Sequence, residues 1–109
     1  DYLRILRFFR FHAVIRAPEI AADGLAACAA LAEGVDGLSR ERVGAEMRKL
    51  LAATDPAPAV AAMRAAGVLR RVLPGADDRA LAPLVHLEAG RPPRWLRRRA
   101  ALGGEGDLR

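Results

Sequence analysis

The stretch DYLRILRFFRFHAVIR, residues 1–16, decides how the rest of the chain is read. Leu3, Ile5, Leu6, Phe8, Phe9 and Phe11 make it apolar enough for a core, yet Arg4, Arg7 and Arg10 return every third residue. A helix buried on all sides excludes such charge, and a surface helix does not carry so many large apolar side chains. Both constraints are met if one face packs in a core while the arginine face lines a wet cavity inside a larger protein. The helix is expected from about Tyr2 to Arg16. Ala17-Pro18 ends it, because the residue before a proline is steered away from the helical region.

Working outward, strict apolar–polar alternation is absent, and β-branched residues are few: seven Val, three Ile and one Thr. Ala, Leu and Arg dominate, and all three favour helix. The chain is read as all-α, a bundle of about six to seven short helices. A second helix is expected over Glu19–Glu33, with a break near Asp23-Gly24 and a stop at Gly34. Ser39 is placed to cap a third over Arg40–Ala53, with Glu41 near the positive end of its dipole. Val43, Met47, Leu50 and Leu51 fall at helical spacing and form its core stripe. Thr54-Asp55-Pro56 opens a fourth helix that reaches Ala66, and Gly67 follows as a C′ residue. Val68, Leu69, Val72 and Leu73 make a short apolar turn closed by Pro74-Gly75. Asp77-Asp78 opens a helix over Arg79–Glu88, and the last covers Arg94–Leu102.

The 109 residues suffice for one domain with a real core. The chain starts at Asp1 inside an apolar pattern, which reads as part of a larger protein. Its net charge of +5 is unevenly spread: residues 1–90 carry 12 basic and 11 acidic side chains, whereas residues 91–109 carry six Arg against Glu105 and Asp107. That end is where a phosphate-facing surface is expected. Cys28 is the single cysteine, so no disulfide forms within the chain, which fits a reducing cytoplasm. It reads as a small core residue. No run approaches the ~18 apolar residues of a membrane-spanning helix.

Chemistry is sought first at Asp1 and Arg4, which three-residue spacing puts on one helix face. The plainer reading is a surface ion pair, which contributes little. The sharper one uses hydrogen-bond complementarity. A carboxylate accepts and a guanidinium donates, so side by side they match a base edge that offers an exocyclic amine beside a ring nitrogen. Cytosine and adenine have that edge; guanine and uracil present another. Arg7, one turn on, either reaches a nucleotide phosphate or pairs with Glu41 or Glu46 across a helix contact. Phe8 and Phe9 read as core.

Residues 1–13, DYLRILRFFRFHA, resemble the end of the E-D-x-x-R motif of class II nucleotidyltransferases: the tRNA CCA-adding enzymes and the bacterial poly(A) polymerases. Asp1 and Arg4 align with its Asp and Arg; Tyr2 replaces a usual Pro. Residues 38–51, LSRERVGAEMRKLL, are similar to the family's next motif at Ser39, Glu41, Arg42, Glu46, Lys49, Leu50 and Leu51. Residues 61–76 resemble a third, weaker one, with Gly75-Ala76 where Glu-Leu is common. The resemblance covers about residues 1–76 and fades beyond Asp77. It implies a neck region with a nucleotide-template motif over 1–76 and the start of a variable helical body over 77–109.

The resemblance further implies that Asp1 and Arg4 select the base of incoming CTP or ATP, with Arg7 as support or nucleotide contact. Ser39, Glu41, Arg42 and Glu46 would brace the template helix. The family's Mg²⁺-binding carboxylates belong to a head domain upstream, and no D-x-D occurs in these 109 residues. The chain alone is therefore not expected to catalyse; the parent would add C and/or A to a tRNA 3′ end, the CCA-adding type being favoured over a poly(A) polymerase. In the C-terminal RPPRWLRRR, Arg91, Arg94, Arg97, Arg98 and Arg99 surround Trp95, which suits contacts with RNA phosphates. Equally, they make a solvated face with Trp95 anchoring the helix. A binding module using that cluster, with no enzyme attached, is the alternative. His12 and His86 lack metal-ligand spacing and read as structural.

Overall fold

The computed structural model describes residues 2–15, 19–88, 91 and 94–104, and every described element is helical. The elements are α1 (Leu3–Ile15), α2 (Ala22–Ala30), a 3₁₀ segment (Ala32–Gly37), α3 (Arg40–Leu51), α4 (Ala57–Ala65), α5 (Leu69–Val72), α6 (Leu81–Glu88) and α7 (Trp95–Leu102). The all-α reading holds.

α1 packs on α3 and α4, and its buried residues Leu3, Leu6, Phe9 and Ala13 follow helical spacing. They meet Val43, Met47, Leu50 and Leu51 of α3 and Ala59, Val60 and Met63 of α4, all in one core. Phe9 and Met47 lose all contact with solvent. Full burial of side chains this size contributes about 1.5–3 kcal/mol each. Phe8 meets Phe9 edge to face at 5.3 Å between centroids, half-buried against α2. Gly24 makes that approach feasible: a Cβ there would fall 2.5 Å from Phe8 Cε1.

Punctuation mostly follows local chemistry. Ser39 Oγ accepts from the Arg42 N–H at 3.2 Å and caps α3. Gly67 takes φ +78°, the left-handed turn after α4 that favours glycine. Asp55 Oδ1 accepts from the Ala57 N–H at 3.2 Å ahead of α4.

Two expectations change. The second helix starts at Ala22, runs straight through Asp23-Gly24 and ends at Ala30; the chain then tightens into a 3₁₀ segment that includes Gly34. Phe8 fills the space left by Gly24, and that packing outweighs the low helix propensity of glycine. The sixth helix begins at Leu81 rather than Arg79, because Asp77 folds a turn before it: Oδ1 takes the Arg79 N–H at 2.9 Å. Phe11, by contrast, stays out of the core as its spacing from Arg7 predicts, and is 63% exposed. At i+4 from Arg7 it shares the outward face, while Phe9 points in.

Residues beyond Asp77 close against the rest. The Asp77 N–H donates to the Leu102 carbonyl at 2.9 Å, and Leu81 and Leu102 enter the same core as α1 and α3.

Candidate functional site

The exposed face of α1 carries Arg4, Arg7 and Phe11, and what holds that face in place is Glu46. Glu46 lies four residues beyond Arg42 on α3 and is buried where α3 crosses α1. Its Oε1 accepts from Arg7 Nε at 3.1 Å. Its Oε2 lies 3.1 Å from Arg10 Nε, a charge contact and not a hydrogen bond. Removing a carboxylate from water is unfavourable unless it is paired, and here two guanidiniums pair with it. Arg7 nevertheless keeps 57% of its side chain exposed, so one guanidinium braces the helix and still faces outward.

Arg4 is exposed and has no hydrogen-bond or ion-pair partner among the described residues. It stands at the mouth of a groove of about 260 Å³ between α1 and α2, whose walls are Ile5, Phe8, Ala27, Cys28 and Leu31. The walls are apolar and the rim is cationic, which suits a flat heteroaromatic ring with a polar edge. Burial pushes the Cys28 thiol pKa up, so at neutral pH it stays a protonated wall residue and not a nucleophile. Asp1 lies outside the described residues.

The motif residues on α3 divide by role. Glu46 makes the ion pairs with α1 and Ser39 caps α3, whereas Glu41 and Arg42 are exposed in its first turn. Of the two partners that spacing left open for Arg7, the structure selects Glu46. Arg10 was not among the expected site residues. Its signal was available: arginines at i and i+3 flank a helix face and can straddle one carboxylate from a neighbour.

The C-terminal cluster is corrected at its centre. Arg98 is 2% exposed. Its Nε and Nη2 donate to Glu88 Oε1 at 3.0 and 2.8 Å. Its Nη1 donates to the Leu51 carbonyl at 2.6 Å and also to the Ala53 carbonyl, and Nη2 donates to the Thr54 carbonyl at 3.3 Å. Arg98 therefore caps the last carbonyl of α3 and two carbonyls of the turn that follows, and its burial keeps it off an RNA surface. Arg97 joins Glu88 Oε2 at 2.9 Å through both Nε and Nη2, and Arg99 donates to the Gly103 carbonyl at 2.8 Å. Arg91 and Arg94 are exposed. Trp95 is half-buried against the core, with Arg48 over its ring at 5.7 Å, so it anchors α7 as the second reading had it.

Glu88, which the sequence reading left without a role, is the acid at this centre. Burial pushes its pKa up, but hydrogen bonds from Arg98 and Arg97 and their charges outweigh that and hold it below the usual carboxylate range. His12 is buried in α1 as expected, while His86 is exposed on α6. Among the described residues, no three His, Cys, Asp or Glu side chains gather as a metal site. No described helix is long and apolar enough to cross a membrane.

The family model described as the probable RNA and SrmB-binding site of polymerase A matches residues 19–79, from just before α2 to the turn after α5. The chain belongs to that family, and so carries a helical RNA-binding domain of the poly(A) polymerase type. The match takes in Glu46 and the groove wall on α2, and leaves α1 and the C-terminal arginines outside. No curated protein matches the chain.

Proposed function

We propose that this chain is the neck and early body, divided near residue 76, of a cytoplasmic class II nucleotidyltransferase that adds C and/or A to tRNA 3′ ends. The observation that carries the reading is Glu46. It lies inside the family-matched segment, pairs with Arg7 and Arg10 of α1, and leaves Arg4 exposed at the mouth of an apolar groove. Holding the helix fixes the backbone from which Arg4 reaches, so only the side chain itself has to be ordered when a base arrives.

In this reading Asp1 accepts a hydrogen bond from the exocyclic amine of cytosine or adenine, and Arg4 donates to the adjacent ring nitrogen. Arg7 holds the helix and lies near enough to meet a phosphate. The RNA 3′-hydroxyl oxygen attacks the α-phosphorus of CTP or ATP, the bond to pyrophosphate breaks, and the hydroxyl proton leaves to solvent. By the resemblance, Mg²⁺ would be held by carboxylates of a head domain and would supply charge stabilisation at the phosphates.

Nucleotide incorporation by the full-length protein tests the reading. Arg4→Ala and Asp1→Ala should each abolish discrimination of CTP and ATP from UTP and GTP while RNA binding persists. Discrimination as good as that of the unsubstituted protein would refute the template role.

A further inference from the structure

A second cavity lies on a different side of the family-matched segment. The 3₁₀ segment, the start of α3 and α5 enclose a cleft of about 180 Å³, lined by Val35, Asp36, Arg40, Val43, Arg71 and Val72 among others. Two features of its arginines call for an acceptor. Arg40 is exposed, with no hydrogen-bond or ion-pair partner among the described residues. Arg71 is engaged on one side only: Nη1 donates to Asp36 Oδ2 at 2.7 Å, whereas Nη2 stands 3.8 Å from Glu33 Oε1, too far for a hydrogen bond. Its Nε is buried and has no acceptor at all. Buried donors are nearly always satisfied, so an orphan at a cleft wall points to a group that completes it. Nε–H and the neighbouring Nη2–H form one edge of the guanidinium fork, the edge that receives two oxygens of a phosphate together.

We propose that this cleft takes one backbone phosphate of the bound RNA strand, between the Nε/Nη2 edge of Arg71 and the guanidinium of Arg40. The apolar walls Val35, Val43 and Val72 then face the attached sugar. Asp36 and Glu33 are the carboxylates nearby, 55% and 88% exposed, so both can turn into water as the anion enters. This assignment rests on the domain's RNA-binding character and adds to it a place of contact separate from α1 and from the C-terminal arginines.

The test is fluorescence anisotropy of a labelled oligo(A) with the full-length protein, titrated across a range of KCl concentrations. Arg40→Ala and Arg71→Lys should each weaken binding several-fold. Arg71→Lys keeps the charge and an ion pair to Asp36 but loses the fork, so its loss reports on geometry and not on folding; an unchanged thermal melt accompanies it. Loss of the phosphate contact should lower the slope of log K against log[salt] by about 0.7, the value for one phosphate on a single strand. Inorganic phosphate at fixed ionic strength should compete with RNA for the unsubstituted protein and not for Arg40→Ala. Binding and salt slope unchanged in both variants would overturn the cleft while leaving RNA binding intact. Failure of the unsubstituted protein to bind either oligo(A) or tRNA would overturn both.

Discussion

Glu46 and Glu88 are each only 5% exposed, and each holds two arginines close together in sequence. Around Glu88 the arrangement is closed. Arg98 has 2% of its side chain exposed, and its guanidinium serves Glu88 and three backbone carbonyls at and just beyond the end of α3. Around Glu46 it is open, with Arg7 57% and Arg10 29% exposed. The same carboxylate with two guanidiniums is therefore a rivet in one place and an outward-facing bracket in the other. What differs is the number of other acceptors within reach. Arg98 has those carbonyls beside it, while Arg7 has only the carboxylate on one side and water on the other.

The comparison breaks first at Arg98. Arg98→Ala leaves Glu88 short of its main partner and the Leu51 and Ala53 carbonyls without their donor, and should destabilise the fold by about 3–5 kcal/mol in urea denaturation. Pairing Glu88→Leu with Arg98→Met removes the uncompensated charge but not the orphaned carbonyls, so it should recover only part of that loss. A double variant as stable as the unsubstituted chain would show that capping α3 matters little.

Next is Glu46→Gln. It keeps the shape but weakens the hold on Arg7 and Arg10, and because both arginines reach water the loss should be smaller, about 1–2 kcal/mol. A loss equal to that of Arg98→Ala would erase the distinction between the two centres.

Acid titration sharpens it further. Folding lowers the Glu88 pKa, so its contribution is complete above the unfolded value near 4.5 and disappears as pH falls through the lower folded value. Thermal melts should lose stability over that acid range, and Glu88→Gln should flatten the loss. An equally steep acid limb in the variant would place the sensitivity elsewhere.

The smallest effect belongs to the outer arginines. Arg91→Ala with Arg94→Ala should change stability by less than about 0.5 kcal/mol, as expected for exposed side chains. A larger loss in denaturant melts would give them a structural part resembling that of Arg98.

Local chemistry written in a few residues made much of this legible. Ser39 four residues before Val43, Gly67 after an alanine-rich run, and the period of Leu3, Leu6, Phe9 and Ala13 each announce a cap, a stop or a buried face within a turn or two of helix. Arg7 with Glu46 was among the readings the motif spacing offered. Arg98 was misread for an identifiable reason: in RPPRWLRRR neighbouring arginines are chemically identical, and only the direction each takes from α7 separates the buried one from the exposed ones.

The sequence by itself thus determined the helical class, most helix ends and the stripes that face the core, because these depend on interactions within about four residues. The tertiary structure alone decided which arginines are buried and what Glu88 is for. Those outcomes depend on what distant segments bring alongside: carbonyls at 51–54 meeting a guanidinium at 98, and a carboxylate at 46 arriving beneath 7 and 10. A charge leaves water only where such partners converge.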